Sequence, residues 1–139
     1  KLIEKRERST IKDIFNVKGE DYFRKIEKKT ALQELKRSST VIALGGGAFM
    51  NKDIRKEVEI SGISFWLDLN IKGLLKRLKN SKKRPLLDQE NLSLTVNKIY
   101  LERKKFYNQS NFRIKCNSMT VSEIVLKIVK LYENSGNKI

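Results

Sequence analysis

The sequence predicts an α/β domain whose mainly parallel sheet is flanked by helices. Two observations support this fold class: an apolar, β-branched-rich run at residues 40–44 with a mostly apolar run at residues 63–69, and amphipathic segments of helical length around them. Short apolar runs are typical of strands buried on both faces, and strands that alternate with helices are typical of a parallel sheet. Ligands of such domains bind beyond the carboxyl ends of the strands.

The first half of the chain is predicted to hold two helices, a strand and a third helix. Thr10 is a suitable N-cap for a short helix that ends near Gly19, and residues 20–37 continue with apolar side chains at helical spacing. Residues 40–44 form the first predicted strand, which runs into three glycines. Asn51 can cap the third helix.

The second half repeats this alternation of strand and helix. A capping box formed by Thr120 and Glu123 predicts the start of the last helix. Before it, residues 63–69 are predicted to be a strand, residues 70–79 a basic helix, and residues 80–91 a polar loop with the only proline. Residues 94–107 are then a helix and residues 112–116 a strand.

The chain is strongly basic, with 31 Lys and Arg residues against 16 Asp and Glu residues and a formal net charge of +15. Such a charge attracts any anion at long range, whether nucleotide, nucleic acid or membrane surface. However, aromatic residues do not interleave with the basic clusters and no nucleic-acid recognition motif is present. No apolar run approaches the roughly 18 residues that span a bilayer. We therefore expect neither a nucleic-acid nor a membrane partner.

Cys116 is the single cysteine, and histidine is absent. One cysteine cannot form an intrachain disulfide, which suits a reducing cytoplasm. The absence of histidine excludes a histidine general base and a histidine metal site. Catalysis must then use carboxylates, arginine, lysine or backbone amides, and we expect a cytoplasmic location and no metal ligands in this chain.

Three features can carry chemistry: the glycines at positions 45, 46 and 47 after a predicted strand, Arg84 in the sequence RPLL, and Arg24 close to Glu27. Each also has an ordinary structural explanation. The glycines can form a tight turn, and Arg24 and Glu27 can be a surface ion pair one helical turn apart. An arginine in a loop that contains proline is usually solvated.

The order and spacing of these features resemble the shikimate kinase family, and the resemblance covers essentially the whole chain. The motifs that carry it are Ile14-Phe15, Gly19-Glu20, Phe23-Arg24 with Glu27, VIALGGG at residues 41–47, RPLL at residues 84–87, and Glu102-Arg103 with Tyr107. The combination is far more specific than any one of these motifs.

The resemblance implies a P-loop kinase fold like that of the nucleoside monophosphate kinases. It also implies ATP-dependent phosphorylation of the shikimate 3-hydroxyl, in aromatic amino acid biosynthesis through chorismate, with ATP and Mg²⁺ as cofactors. Shikimate and ATP would be the partners, and the full-length form would be monomeric.

The resemblance also implies roles for individual residues in substrate binding. Arg24 and Arg103 would bind the shikimate carboxylate, for which a guanidinium fork is the matching donor. Gly46 would make the most direct contact with the substrate hydroxyls. Gly45 and Gly47 would line the substrate hydroxyls beside it. Glu27 would orient the arginines, and Phe15 and Phe23 would form the apolar wall of the pocket.

Two arginines are implied to contact the nucleotide. Arg84 matches a residue of a mobile lid, at residues 80–92, and would stabilise the transferring phosphate. Arg77 matches an arginine that stacks on adenine, although a solvated helix residue is the alternative.

The sequence departs from the family pattern at two places. Lys105 stands where proline commonly follows the position of Arg103, which is a local difference. More important, the chain has no G-x-x-x-x-G-K-[ST] motif and no Asp-x-Asp before Leu2, so the phosphate loop and the magnesium-binding carboxylate are absent. We therefore expect residues 1–139 to be an N-terminally truncated, incomplete P-loop kinase domain that is inactive alone, with the magnesium ligands in the missing segment.

Three alternatives stay open. Another small P-loop kinase, such as a gluconate kinase, would share the architecture. A non-catalytic relative could keep the shikimate site as a binding module. A basic nucleic-acid-binding module is suggested by the net charge alone.

Overall fold

The computed structural model describes residues 1–78 and 91–136 of the 139-residue chain. The predicted α/β class with a parallel sheet is confirmed in these ranges, where none of the helices is both long and apolar enough to cross a membrane. The helices are α1 (Leu2–Glu7), α2 (Ile11–Leu35), α3 (Lys52–Ser61), α4 (Ile71–Leu78), α5 (Leu92–Tyr107) and α6 (Val121–Asn134), and the strands are β1 (Phe65–Asp68) and β2 (Phe112–Lys115).

The two strands pair in parallel, with Phe65 opposite Phe112 and Asp68 opposite Lys115. The Phe65 and Phe112 rings stack with centroids 5.3 Å apart at one end of the ladder. Helices α4 and α5 lie between the strands in the sequence, as a parallel connection requires. The carboxyl ends of both strands therefore lie at the same edge of the sheet.

Helix α2 joins the two helices that the sequence predicts before residue 37. Thr10 caps it as expected, because its hydroxyl accepts a hydrogen bond from the Asp13 amide at 3.1 Å. At Gly19 the backbone has φ 79° and ψ 172°, which is not helical, and a positive φ costs glycine little. The two predicted helices are thus one element with a kink between them.

Helix α1 was not predicted from the sequence, since it has no buried residue and only six residues. It is held to α2 by polar contacts at its last turn. Oε2 of Glu7 accepts hydrogen bonds from Tyr22 at 2.8 Å and from Lys18 at 3.0 Å. Contacts of this kind between distant residues leave no periodic pattern in a sequence.

The prediction of a strand at residues 40–44 is wrong for the described part of the chain. These residues form no helix and pair with no strand there, and Val41 is fully exposed. A strand requires a neighbour for its amides and carbonyls, and β1 pairs with β2 instead. The segment leads directly into the glycines and packs Leu44 against the core.

The best-defined core cluster lies between α2, α3 and the turn after the glycines. Its buried members are Ala31 of α2, Ala48 of the turn, and Ile54 and Val58 of α3. Asn51 caps α3 as predicted, accepting hydrogen bonds from the Asp53 and Ile54 amides. This packing fixes the glycines relative to α2, which carries the first arginine of the candidate site.

Candidate substrate site

Gly45, Gly46 and Gly47 form a loop that three charged side chains approach closely. A Cβ atom added to Gly45 would lie 2.8 Å from Oε1 of Glu27, and one added to Gly46 would lie 2.8 Å from Nη1 of Arg103. A Cβ atom on Gly47 would collide with the guanidinium of Arg24, with Cζ only 2.9 Å away. The glycines are needed here because they let side chains from α2 and α5 reach the backbone.

Arg24 is held by two carboxylates of its own helix. Its Nη1 donates to Oε2 of Glu27 at 2.7 Å, and its Nε and Nη2 donate to Oε1 of Glu20 at 3.1 and 2.9 Å. Burial on its own would lower the pKa of Arg24, but the hydrogen bonds to Glu27 and Glu20 outweigh it and raise the pKa. The guanidinium is therefore charged at any physiological pH, and its direction is set by α2.

Glu27 is buried, with 8% of its surface exposed. Its Oε2 accepts a hydrogen bond from Arg24, but in the described residues no hydrogen bond joins it to Arg103. Its second oxygen, Oε1, lies against Gly45. Glu27 thus fixes one of the two arginines and borders the glycine loop.

Arg103 is half-buried on α5, beside Gly46. Among residues 1–78 and 91–136 its side chain makes no hydrogen bond and no ion pair. A guanidinium always carries a positive charge in a protein. Within the described part of the chain, the loop is therefore bordered by a neutralised arginine at Gly47 and by an arginine without a counter-ion at Gly46, and the second can bind an external anion.

Phe15 and Phe23 form an aromatic wall in the same cleft. Their ring centroids are 4.7 Å apart, and Phe23 is buried. The cleft has a volume of about 850 Å³ and is lined by both rings, the irregular segment 40–44, the glycines, and the two arginines with Glu27. The structure thus brings eight of the ten site residues predicted from the sequence together in one cleft.

Of the two remaining predicted residues, one is outside the cleft and the other is not among the described residues. Arg77 is in the last turn of α4 and does not line the cleft. Arg84, with most of the predicted lid, lies outside the described residues.

Tyr107 is a site residue to which sequence reasoning gave no role. Its hydroxyl donates a hydrogen bond to the carbonyl oxygen of Gly46. Its ring packs against Phe49, with centroids 6.3 Å apart, and Trp66, at 5.8 Å. The available signal was its spacing, because Tyr107 is one helical turn beyond Arg103 and on the same side of α5.

Asp68 is a second polar residue that the sequence did not single out. It is buried at the end of β1, where Oδ2 accepts hydrogen bonds from Nε and Nη2 of Arg113 at 2.9 and 2.6 Å. Its Oδ1 accepts a hydrogen bond from the Tyr100 hydroxyl at 3.1 Å. Burial raises the pKa of Tyr100, and the Asp68 charge raises it further. This network joins α5 to the sheet.

The described residues do not fit a magnesium site. In ranges 1–78 and 91–136, no group of three or more Asp, Glu, Cys or His side chains could hold a metal ion. Mg²⁺ is usually held by one or two carboxylates together with the substrate phosphates. Glu20 and Glu27 are both bonded to Arg24, and Asp68 is bonded to Arg113. We therefore assign no step of chemistry to a metal on these residues.

Comparison with known proteins identifies similar sequences. Residues 1–133 match the family model described as shikimate kinase. The shikimate kinase of Bartonella henselae is 38% identical over 133 residues, which are 94% of this chain and 63% of that protein. The shikimate kinase of a Sulfurihydrogenibium species is 38% identical over 129 residues and is covered to 76% of its length. The chain thus spans less than two thirds of the Bartonella relative.

A solved structure is similar over nearly the whole chain. It is the shikimate kinase from Acinetobacter baumannii in complex with shikimate, with a TM-score of 0.92 and 28% sequence identity. The match covers 99% of this chain and 77% of that one. At this identity and this TM-score, the fold and the order of the elements are shared.

Proposed function

The chain belongs to the shikimate kinase family, and from that premise we propose that it supplies the shikimate site of an enzyme that transfers phosphate from ATP to the shikimate 3-hydroxyl. The observation that carries the proposal is the pair of arginines at the glycine loop. Arg103, without a counter-ion among the described residues, lies at Gly46, and Arg24 lies at Gly47. A relative with the same fold is described in complex with shikimate.

The carboxylate of shikimate would bind between Arg24 and Arg103. Consecutive Cα atoms are about 3.8 Å apart, so guanidinium groups that touch consecutive glycines can approach one small anion. Charge-assisted hydrogen bonds of this kind are about twice as strong as neutral ones. Because Glu27 and Glu20 hold Arg24 in place, little side-chain freedom is lost when the anion binds.

The hydroxyl groups of shikimate would face the glycine loop. In the described part of the chain the amides of Gly46 and Gly47 make no hydrogen bond, so they are available as donors. Without side chains, these residues let a ring approach the backbone directly. Phe15 and Phe23 would cover the apolar part of the ring, since both line the same cleft.

ATP would supply the phosphate, and two arginines are proposed to contact it. Arg84, in a lid at residues 80–92, would spread the charge of the transferring phosphate. Arg77, in the last turn of α4, would contact the adenine. Mg²⁺ is assigned to no residue of this chain.

The 139 residues contain no G-x-x-x-x-G-K-[ST] sequence. That motif provides the amides and the lysine that bind the phosphates, and the hydroxyl that binds magnesium. We therefore expect this chain on its own to bind shikimate without phosphorylating it. An assay that couples ADP release to NADH oxidation tests this, and turnover clearly above a no-enzyme control would contradict it.

Isothermal titration calorimetry with shikimate, gluconate and a mixed-sequence oligonucleotide distinguishes the candidate functions. The proposal predicts saturable binding of shikimate and none of gluconate. Preference for gluconate would favour a related sugar-acid kinase, since that substrate is also a carboxylate with hydroxyls. Binding of the oligonucleotide alone, with a steep loss as salt increases, would instead favour a nucleic-acid-binding module.

A non-catalytic relative is a further candidate. Shikimate binding by a protein that never phosphorylates it, even when a P-loop is supplied, would indicate such a relative.

The proposal also includes location and oligomeric state. The single cysteine, Cys116, suits a cytoplasmic location. A monomeric full-length form is expected, and light scattering of the purified protein measures it.

A further inference from the structure

We infer that Tyr107 is a positioning residue of the substrate site, which fixes the Gly46 peptide relative to Arg103. The inference rests on the proposed function, because Gly46 and Arg103 are the groups proposed to bind shikimate. Tyr107 itself need not contact the substrate. Its hydroxyl bonds the carbonyl oxygen of Gly46, so it acts through the loop.

The ring of Tyr107 is held firmly enough to direct this hydroxyl. It lies against Phe49 on one side, with centroids 6.3 Å apart, and against buried Trp66, at 5.8 Å. Phe49 follows the glycines in the 3-10 turn, and Trp66 is in β1. The tyrosine therefore connects the glycine loop to the sheet through its ring and to Gly46 through its hydroxyl.

The position of Tyr107 on α5 couples the loop to Arg103. The two residues are four apart on one helix, and such residues share a side. A Cβ atom at Gly46 would lie 2.8 Å from Nη1 of Arg103 and 3.4 Å from Oη of Tyr107, so both side chains meet the same peptide. The hydrogen bond thus sets how far the Gly46 backbone stands from the arginine.

A second residue, Arg55, holds the turn that follows the glycine loop (Ala48–Met50). Arg55 of α3 donates to the carbonyl oxygens of Phe49 at 2.9 Å and Met50 at 2.7 Å, and its guanidinium lies 4.7 Å from the centre of the Phe106 ring. Arg55 does not line the cleft described above. It also does not line a second cleft of about 690 Å³ beside it, which Lys28 and Lys98 border. Its contacts hold the end of the turn, whereas Tyr107 acts on the glycines themselves.

Tyr107→Phe tests the inference, because it removes the hydroxyl and keeps the ring. The dissociation constant for shikimate, measured by calorimetry, should increase about 3- to 10-fold, as expected for one neutral hydrogen bond. The thermal unfolding midpoint should change little, since the ring contacts remain. Tyr132→Phe is the matched control on α6, where Tyr132 is exposed, and it should bind shikimate like the wild type.

A second measurement does not depend on shikimate. The amides of Ala48 and Met50 donate to the carbonyls of Gly45 and Gly47 at 2.9 and 3.1 Å. If Tyr107 holds the loop, these two amides should exchange hydrogen at least about threefold faster in Tyr107→Phe, with no change in α6. If the wild type fails to bind shikimate, the proposed function is wrong, and this exchange result alone supports or overturns the role of Tyr107.

Two results would overturn the inference. One is a Tyr107→Phe variant that binds shikimate as the wild type does. The other is unchanged exchange at Ala48 and Met50. A third result would also count against it, namely weaker shikimate binding together with a clearly lower thermal unfolding midpoint. That pattern indicates a general loss of stability.

Discussion

Nη1 of Arg24 lies 2.7 Å from Oε2 of Glu27, one turn further along α2. The same guanidinium lies against Gly47, and the second oxygen of Glu27 lies against Gly45. The ion pair therefore aims the arginine at the glycine loop instead of at solvent. Spacing along one helix creates this arrangement, and the glycines leave the space for it.

We expect Arg24→Ala to weaken shikimate binding strongly. The substrate carboxylate would lose one of its two arginines, and truncation of one partner of a buried charge pair costs on the order of 2 to 5 kcal/mol. The variant should also be less stable, because Glu27 would remain buried without its partner. Calorimetry measures the first effect and urea unfolding the second.

Arg6→Ala is the matched control for charge. Arg6 forms a surface ion pair with Glu34 at 3.1 Å and lines neither cleft. Its replacement removes the same charge, and it should leave shikimate binding unchanged. Equal losses in Arg6→Ala and Arg24→Ala would show that the net charge of +15, and not the site, attracts the ligand.

Gly46→Ala and Gly47→Ala should reduce shikimate binding with little effect on folding. The added Cβ atoms would meet Arg103 and Arg24, and in each case the neighbour is the end of a flexible side chain that can move. The fold can adapt, but the displaced arginines lose their alignment, and we expect roughly tenfold weaker binding. Calorimetry and thermal unfolding give the two quantities.

Gly62→Ala is the control for the glycine variants. A Cβ atom there would lie 3.7 Å from the Val58 carbonyl oxygen, an ordinary contact, and its φ of −161° is available to any residue. Shikimate binding should be unchanged. If Gly46→Ala and Gly47→Ala also bind normally, close approach of the arginines to the loop is not required.

The capping box of α6 should make stability depend on pH in the acid range. Hydrogen bonds from the Thr120 amide and hydroxyl lower the pKa of Glu123. A lowered folded-state pKa gives stability that is present above the unfolded value and is lost as the pH falls through the folded value. Urea unfolding from about pH 6 to about pH 3 should show a smaller loss in Glu123→Gln than in the wild type.

Glu133→Gln provides the comparison on the same helix. In the described residues the Glu133 side chain makes no hydrogen bond and no ion pair. This variant should keep the acid sensitivity of the wild type. If Glu123→Gln loses as much stability as the wild type over the same pH range, the capping box does not contribute to acid sensitivity.

Local signals predicted much of the fold and, together with the family resemblance, most of the named residues that line the cleft. The caps at Thr10, Asn51 and Thr120 are confirmed, because a capping side chain bonds an amide only two or three residues away. The pair of Arg24 and Glu27 was predictable for the same reason, since both are on one helix. The family resemblance supplied Arg103, which is far away in the sequence.

Contacts between distant residues account for what was missed. Residues 40–44 have the composition of a strand, but composition cannot say whether a neighbouring strand is there to pair with. The bond between Tyr107 and Gly46 joins residues 61 positions apart, and that between Tyr100 and Asp68 joins residues 32 positions apart. Neither leaves a periodic signal in the sequence.

A crystal structure of the chain with shikimate tests the central claim most directly. We predict that the carboxylate lies between Arg24 and Arg103, with oxygen to nitrogen distances of about 2.7 to 2.9 Å, and that the hydroxyls face Gly46. Shikimate bound with its carboxylate on Lys28 or Lys98 of the neighbouring cleft, and with Arg103 unoccupied, would contradict the account.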